Sequence, residues 1–300
     1  MRTVYLGTSD FAAAVLDRLA ASDHRPALVV TRPDRPKGRG RKLSSPPVAE
    51  RARELGIEVD QPADVNSDEA RARISGANPE AACICAFGAL IRDPLLSEHP
   101  WLNVHPSLLP RWRGAAPVER AIEAGDAGTG VSIMRPIAEL DAGPFCLQEA
   151  MAITPEDDYG SLSRRLAWLG GELLVRALDE RPEFHEQGED GVTYADKIGP
   201  EDRILDPGMG PEALERRVRA LTPHIGAFTE MGKDRLVVVR ARVSDLPAPA
   251  PGTLAAVDGA LVLGCAGGAL ELLEVRPAGA KTMDAGAFLR GQGRALSGNP

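Results

Sequence analysis

The sequence predicts an α/β chain, with a Rossmann-like N-terminal domain followed by a smaller, mostly-β C-terminal domain of OB-like barrel type. Three observations carry this reading. Short apolar runs alternate with stretches of helical spacing through roughly the first 180 residues, the pattern of a sheet covered by helices. A segment rich in Pro, Gly and charge, Pro182 to Pro207, then interrupts that pattern. Beyond it, short strands separated by tight-turn signals take over. The expected boundaries are 1–181 for the first domain, 182–207 for a linker and 208–300 for the second domain.

Taken in order, Thr3 to Leu6 is a β-rich run that stops at Gly7. Phe11, Val15, Leu16 and Leu19 follow at helical spacing, with Ser9 or Asp10 as N-cap. Ala27 to Thr31 is a second strand. Gly7 lacks the two further glycines of a dinucleotide fingerprint, so NAD is not inferred. The next stretch, Arg32 to Pro47, is so dense in Pro and Gly that it predicts a long exposed loop. Val48 to Leu55 reads as helix, Ala81 to Ala86 as buried strand, Pro117 to Ala124 as helix and Gly130 to Met134 as strand. Asp158 to Leu178 is an amphipathic helix. In the second domain Pro211 to Leu221 is helical, and Leu236 to Val243 and Ala269 to Val275 are strands. Asp258-Gly259 between apolar runs marks a hairpin with a type I′ turn.

Charge and cysteine content narrow the functional classes. The net charge of −8 argues against a general nucleic-acid binder, but it is unevenly spread. Arg203 to Pro300 holds 12 Lys+Arg against 10 Asp+Glu, a net of +2, which leaves −10 on the first 202 residues. Within that acidic part, Arg32 to Lys42 carries six basic residues against Asp34 alone. Phosphates are the natural partner for spaced arginines on a loop. The four cysteines have no ligand spacing, which predicts buried, reduced core residues and no metal. The start of the chain has no long apolar segment and no run approaches a membrane span, so a cytoplasmic protein is expected.

The stretch Trp101 to Pro117 carries the chemistry. It opens as a short strand that breaks at Pro106, and side chains two apart on a strand share a face, so Asn103 and His105 point the same way. They stand at a strand's carboxyl end, where ligands of open α/β sheets collect. An amide can hold a developing oxyanion and an imidazole can move a proton near neutral pH, which suits acyl-type transfer. Alone, so short a pair more often marks a satisfied strand-end histidine beside a turn-forming asparagine.

The wider motif is more specific. Asn103-Val-His105-Pro-Ser-Leu-Leu-Pro followed by Gly114 and by Leu140-Asp141-Ala-Gly143 resembles the folate-dependent formyltransferase family. Gly7-Thr8-Ser9-Asp10-Phe11, the loop Pro33 to Lys42, Arg111 to Pro117, Ala124 to Val131, Thr193 to Ile198, Lys281-Thr-Met283 and Phe288 to Gly291 extend the likeness along nearly the whole chain. These longer pieces resemble the branch whose acceptor is charged initiator tRNA. Ser9 stands where that family usually has proline. His224-Ile225 replaces an expected aromatic, and Arg203 to Asp206 lacks the usual tryptophan.

The resemblance implies a set of roles. Asn103, His105 and Asp141 would be catalytic. Phe87, Gly88, Leu90, Ile91, Ser107, Leu108, Leu109 and Pro110 would bind 10-formyltetrahydrofolate, the formyl donor that leaves as tetrahydrofolate. Arg35, Lys37, Arg39, Arg41 and Lys42 would contact initiator methionyl-tRNA. A monomer is expected. The same core would serve an enzyme acting on an amino-sugar nucleotide or a glycinamide ribotide, an inactive RNA-binding or folate-sensing module, or a hydrolase releasing formate.

Overall fold

The computed structural model describes residues 1–37 and 42–296. Arg39 and Arg41, expected to touch tRNA, lie outside the described residues, as do the side chains of Lys37 and Lys42. The chain forms two compact units. One comprises Met1–Pro117, Gly128–Ala152 and Ser163–Ala195; the other comprises Val118–Ala127, Ile153–Leu162 and Asp196–Pro300.

In chain order the first half contains β1 (Thr3–Gly7), α1 (Asp10–Ala20), β2 (Pro26–Val30), β3 (Arg35–Lys37), β4 (Lys42–Ser44), α2 (Pro47–Glu54) and β5 (Glu58–Asp60). Then come α3 (Asp68–Gly76), β6 (Ala81–Cys85), α4 (Leu95–Glu98), β7 (Trp101–His105), β8 (Arg113–Gly114) and α5 (Pro117–Ala124). β9 (Gly128–Met134), β10 (Phe145–Ala152), α6 (Tyr159–Glu180) and β11 (Tyr194–Ala195) follow.

The main sheet of the first unit runs β10-β9-β7-β6-β1-β2-β5. Its five strands from β7 to β5 are parallel, and β9 and β10 continue it antiparallel. Strands buried on both faces need continuous apolar runs, which is why β1 and β6 are buried along their whole length. The chain winds from β1 to β2 and β5 on one side and to β6 and β7 on the other, so the topological switch lies between β1 and β6. Ser9 caps α1, its hydroxyl accepting from the Ala12 N–H at 3.3 Å, so serine does its own work where proline was expected. Further along, α6 lies close to α1 and the sheet because Gly170 and Gly171 leave no room for a side chain. A Cβ on Gly170 would sit 2.7 Å from Val104 Cγ1, and one on Gly171 2.6 Å from Arg18 Cβ.

The expected exposed loop after Thr31 is in part a two-stranded ribbon, with Arg35 opposite Ser44 and Lys37 opposite Lys42. Pro36 is tolerated because an isolated two-stranded ribbon has free edges on both sides. The sequence reading also passed over β5, α3 and β10, whose short or mixed-polarity runs have no clean period.

The second unit adds a 3₁₀ turn at Glu201–Arg203, α7 (Pro211–Leu221), β12 (Ala227–Met231), β13 (Asp234–Ser244), β14 (Leu254–Val257), β15 (Ala260–Cys265), β16 (Gly268–Pro277), β17 (Met283–Asp284) and α8 (Ala285–Leu296). Its sheet runs β12-β13-β16-β15-β14, with β17 on β16, and curls into a half-barrel. Asp258 and Gly259 both have positive φ, 49° and 84°, which makes the predicted type I′ turn between β14 and β15. Leu214, Val218 and Leu221 of α7 and Phe288 of α8 close the core against Leu236, Leu263, Leu270 and Leu272. His224 stacks on Tyr159 with ring centroids 3.6 Å apart, and its Nε2 lies 3.0 Å from Glu119 Oε1. The imidazole thus packs as a planar ring at the position where an aromatic was expected.

Among the described residues no helix is long and apolar enough to cross a membrane. All four cysteines are free and buried. Burial pushes the Cys83 and Cys85 thiols up to about 12. A thiol-specific disulfide reagent at pH 8 is therefore expected to leave both untouched in the native protein and to reach all four cysteines after denaturation.

Candidate active site

The carboxyl ends of β6 and β7 open into a cavity of about 540 Å³. Its lining includes Phe87, Gly88, Leu90 and Ile91 from the loop after β6, Asn103 and His105 from β7, and Gly114, Ile137, Leu140 and Asp141. The three residues singled out as catalytic therefore share one cavity with four of those expected to bind folate. The other four, Ser107, Leu108, Leu109 and Pro110, are not among its lining residues. Ser107 is fully buried, and its hydroxyl donates to the Arg111 carbonyl at 2.6 Å. Ser132 on β9 donates to the Ser107 carbonyl at 2.6 Å and accepts from the Leu109 N–H at 3.1 Å. Gln148 on β10 donates to the Leu109 carbonyl at 2.8 Å. This web shapes the chain immediately after His105 and does not face the cavity.

His105 is 4% exposed, and its Nε2 lies 2.9 Å from the Trp112 carbonyl. A carbonyl only accepts, so Nε2 carries a proton, and in the neutral ring Nδ1 then holds the lone pair, a tautomer assigned from this hydrogen bond. Nδ1 lies 3.7 Å from Asp141 Oδ2, too far for a direct hydrogen bond. The same carboxylate oxygen accepts the Gly114 N–H at 2.9 Å. Asn103 Nδ2 has Met134 Sδ at 3.6 Å, a weak acceptor that leaves the amide free to serve a stronger one.

Two backbone features hold this set. Asp141 has φ +49°, the left-handed region that aspartate tolerates better than most residues. Gly114 has φ +122°, and a Cβ there would lie 2.8 Å from the Ala195 carbonyl oxygen, so only glycine lets β8 pair with β11. The pairing is reinforced by Arg113 N–H to Thr193 O at 2.9 Å and Trp112 N–H to the Thr193 hydroxyl at 2.9 Å.

Sequence reasoning missed Trp112, Arg113, Gln187 and Thr193 as parts of the site. Gln187 and Thr193 fall in the stretch expected to be linker, where polar residues look like solvated loop. The Thr193 to Ile198 piece of the family resemblance was the available signal. Arg35 is exposed on the ribbon. Among the described residues no group of three or more His, Cys, Asp or Glu side chains could hold a metal ion.

The arrangement offers an amide donor, an imidazole and a carboxylate around one point, with apolar walls beside it. That set suits transfer of a small acyl group to a nucleophile. Replacing Gly114 with Ala is expected to part β8 from β11. Hydrogen exchange would read this as lost protection of the Ala115 and Ala116 amides, both of which donate to Ala195 O.

Comparison with known proteins agrees with this chemistry. Residues 1–178 match the formyl transferase family, and residues 197–293 match the formyl transferase C-terminal domain. A methionyl-tRNA formyltransferase of Ruegeria pomeroyi is 41% identical over 295 residues, covering 97% of this chain and 97% of the relative. Among solved structures, HypX from Aquifex aeolicus in complex with tetrahydrofolic acid has a TM-score of 0.68 at 19% identity, over 99% of this chain and 48% of that one. Methionyl-tRNA formyltransferase from Clostridium thermocellum has a TM-score of 0.58 at 16% identity, over 82% of this chain and 94% of that one. These two show a shared fold. With both of its parts matched and a full-length relative at this identity, the chain belongs to the formyl transferase family.

Proposed function

We infer that this protein moves the formyl group of 10-formyltetrahydrofolate to the α-amino group of methionine esterified to initiator tRNA, giving N-formylmethionyl-tRNA for translation initiation. The observation that carries the residue roles is the 3.7 Å gap between His105 Nδ1 and Asp141 Oδ2. Two acceptors at that spacing, beside a free amide donor, make a receptor for an N–H of an incoming amine. The cavity volume falls in the usual range for a small-molecule site, and its apolar wall from Phe87 to Ile91 suits the flat face of a pteridine. The folate supplies the formyl carbonyl and the N10 leaving group.

The chain's own residues then divide the work. Asn103 Nδ2 donates to the formyl oxygen as negative charge develops there. Asp141 accepts a proton from the acceptor amine, which must be neutral to attack. His105 is held by Trp112 with its Nδ1 lone pair toward that proton. Once protonated it can donate from Nδ1, either to Asp141 or to the departing nitrogen. The web of Ser107, Ser132, Leu109 and Gln148 keeps the chain after His105 from drifting, so Ser107 to Pro110 serve the pocket without lining it.

The basic residues Arg35, Lys37, Arg39, Arg41 and Lys42 are assigned to phosphates of the tRNA. Spaced guanidinium and ammonium groups bind phosphate without reading bases. The +2 balance of Arg203 to Pro300 favours further contacts of that kind. On this reading the chain works in the cytoplasm as a monomer.

The direct test is formyl transfer from 10-formyltetrahydrofolate to charged initiator methionyl-tRNA, with uncharged tRNA and an amino-sugar nucleotide as controls. Product is expected with the charged tRNA alone; transfer to the sugar would refute the acceptor assignment. Asn103→Ala should lower the rate of transfer about 10²–10³-fold, the usual loss for one oxyanion donor. Arg39→Leu is expected to raise the KM for tRNA and leave that for the folate unchanged, measured by varying each substrate in turn.

A further inference from the structure

Asp141 is attached to a turn whose own carbonyls are captured by a side chain far away in sequence. The Gln187 amide Nε2 donates to the Asp141 carbonyl at 2.7 Å and to the Gly143 carbonyl at 2.7 Å. Its Oε1 accepts from Arg113 Nε at 3.0 Å. Arg113 is 8% exposed and immediately precedes Gly114, the residue whose N–H holds the Asp141 carboxylate. A closed ring results: Gly114 N–H to Asp141 carboxylate, Asp141 carbonyl to Gln187, Gln187 to Arg113, and Arg113 back to Gly114 through the chain.

We propose that Gln187 is a positioning residue for transfer, fixing the Asp141 carboxylate at its distance from His105 through the turn that bears it. This role for Gln187 rests on the one given to Asp141 above. An amide is the side chain this place needs. Two carbonyls require two donors, and the Arg113 guanidinium requires an acceptor; a glutamine supplies all three from one planar group. Its two donors span Ala142, so the left-handed backbone of Asp141 is clamped on its C-terminal side. On the other side the turn holds the longer bond from Ala142 N–H to the Glu139 carbonyl, at 3.4 Å, and the Arg113 guanidinium reaches the Glu139 carboxylate at 3.5 Å. Gly143 adds a second restraint, since a Cβ there would lie 1.9 Å from the Arg135 carbonyl oxygen. The turn therefore cannot slide along the strand ends, and Gln187 decides how it tilts toward His105.

The consequence falls on rate and spares binding. A tilt of the turn displaces the carboxylate oxygen from its place beside Nδ1, and small misplacements of a reacting group cost about 10²-fold in rate. The hydrogen bonds of this ring involve none of the wall residues Phe87 to Ile91, which keep their hold on the folate.

The test uses the full chain carrying Gln187→Met, of similar length without donors, and Gln187→Glu, which keeps the acceptor for Arg113 and loses both donors. Tetrahydrofolate titration reports the number of intact sites and their affinity, and single-turnover transfer to charged initiator tRNA reports the chemical step. Both variants are expected to bind one tetrahydrofolate per chain with Kd within threefold of the parent, and to transfer 10- to 100-fold more slowly per intact site. Transfer within twofold of the parent per intact site would overturn the inference, as would a loss fully explained by missing folate sites. Asp141→Asn is measured in parallel. A near-normal rate for that enzyme would sink the role of Asp141 itself, whereas slow Asp141→Asn beside normal Gln187→Met would sink only the role of Gln187.

Discussion

Three consecutive residues hold the imidazole and the carboxylate of the cavity in place, and they do so largely through the main chain. The Trp112 carbonyl fixes the ring of His105, and the Gly114 N–H fixes the carboxylate of Asp141. Arg113 between them faces Gln187. Because β8 is only two residues long, its path is not set by a ladder of its own. It is set by parallel pairing with Tyr194–Ala195 and by the Thr193 hydroxyl. That pairing works only if position 114 has no side chain. The distance between an imidazole and a carboxylate is thus governed by backbone contact between segments about eighty residues apart.

The sheet supplies the rigid frame under this arrangement. β7 delivers Asn103 and His105 from between β6 and β9, and Asn103 registers with Ile84 on one side and Met134 on the other. Strands that are buried on both faces cannot tilt without opening the core, so the two side chains emerge with fixed spacing. The antiparallel strands β9 and β10 do more than extend the sheet. Ser132 and Gln148 reach from them to the turn after His105, a buried polar web whose members satisfy one another.

Departures from the family pattern find local physical substitutes. Ser9 gives up the rigidity of proline and gains an N-cap bond. His224 keeps a planar ring stacked on Tyr159 and adds a polar contact to Glu119 that a hydrocarbon ring could not make. Where a tryptophan is absent, Leu205 is buried in the second core beside Leu214 and Val218.

Much of this was legible in the sequence. Apolar runs without alternation marked β1 and β6, helical spacing marked α1 and α6, and Asp258-Gly259 marked its hairpin. These signals are local, set by side-chain period and by which residues accept positive φ. The Asn103–His105 pair was legible for the same reason, since a period of two puts both on one face. Convergence with Asp141 was not, because nothing in the order of residues says that the turn after Leu140 folds back over the end of β7. Nor could sequence separate Gln187 from ordinary solvated loop. Its partners are two carbonyls and a guanidinium, and carbonyls carry no sequence identity. The ribbon at Arg35 to Ser44 escaped notice too, because proline and glycine forbid a sheet interior but not a free-edged hairpin. Residue chemistry and period therefore determined the parts and the class of reaction they can perform. Tertiary structure alone decided which backbone atoms hold those parts, because hydrogen bonds to main-chain groups depend on where the chain runs and not on what it is made of.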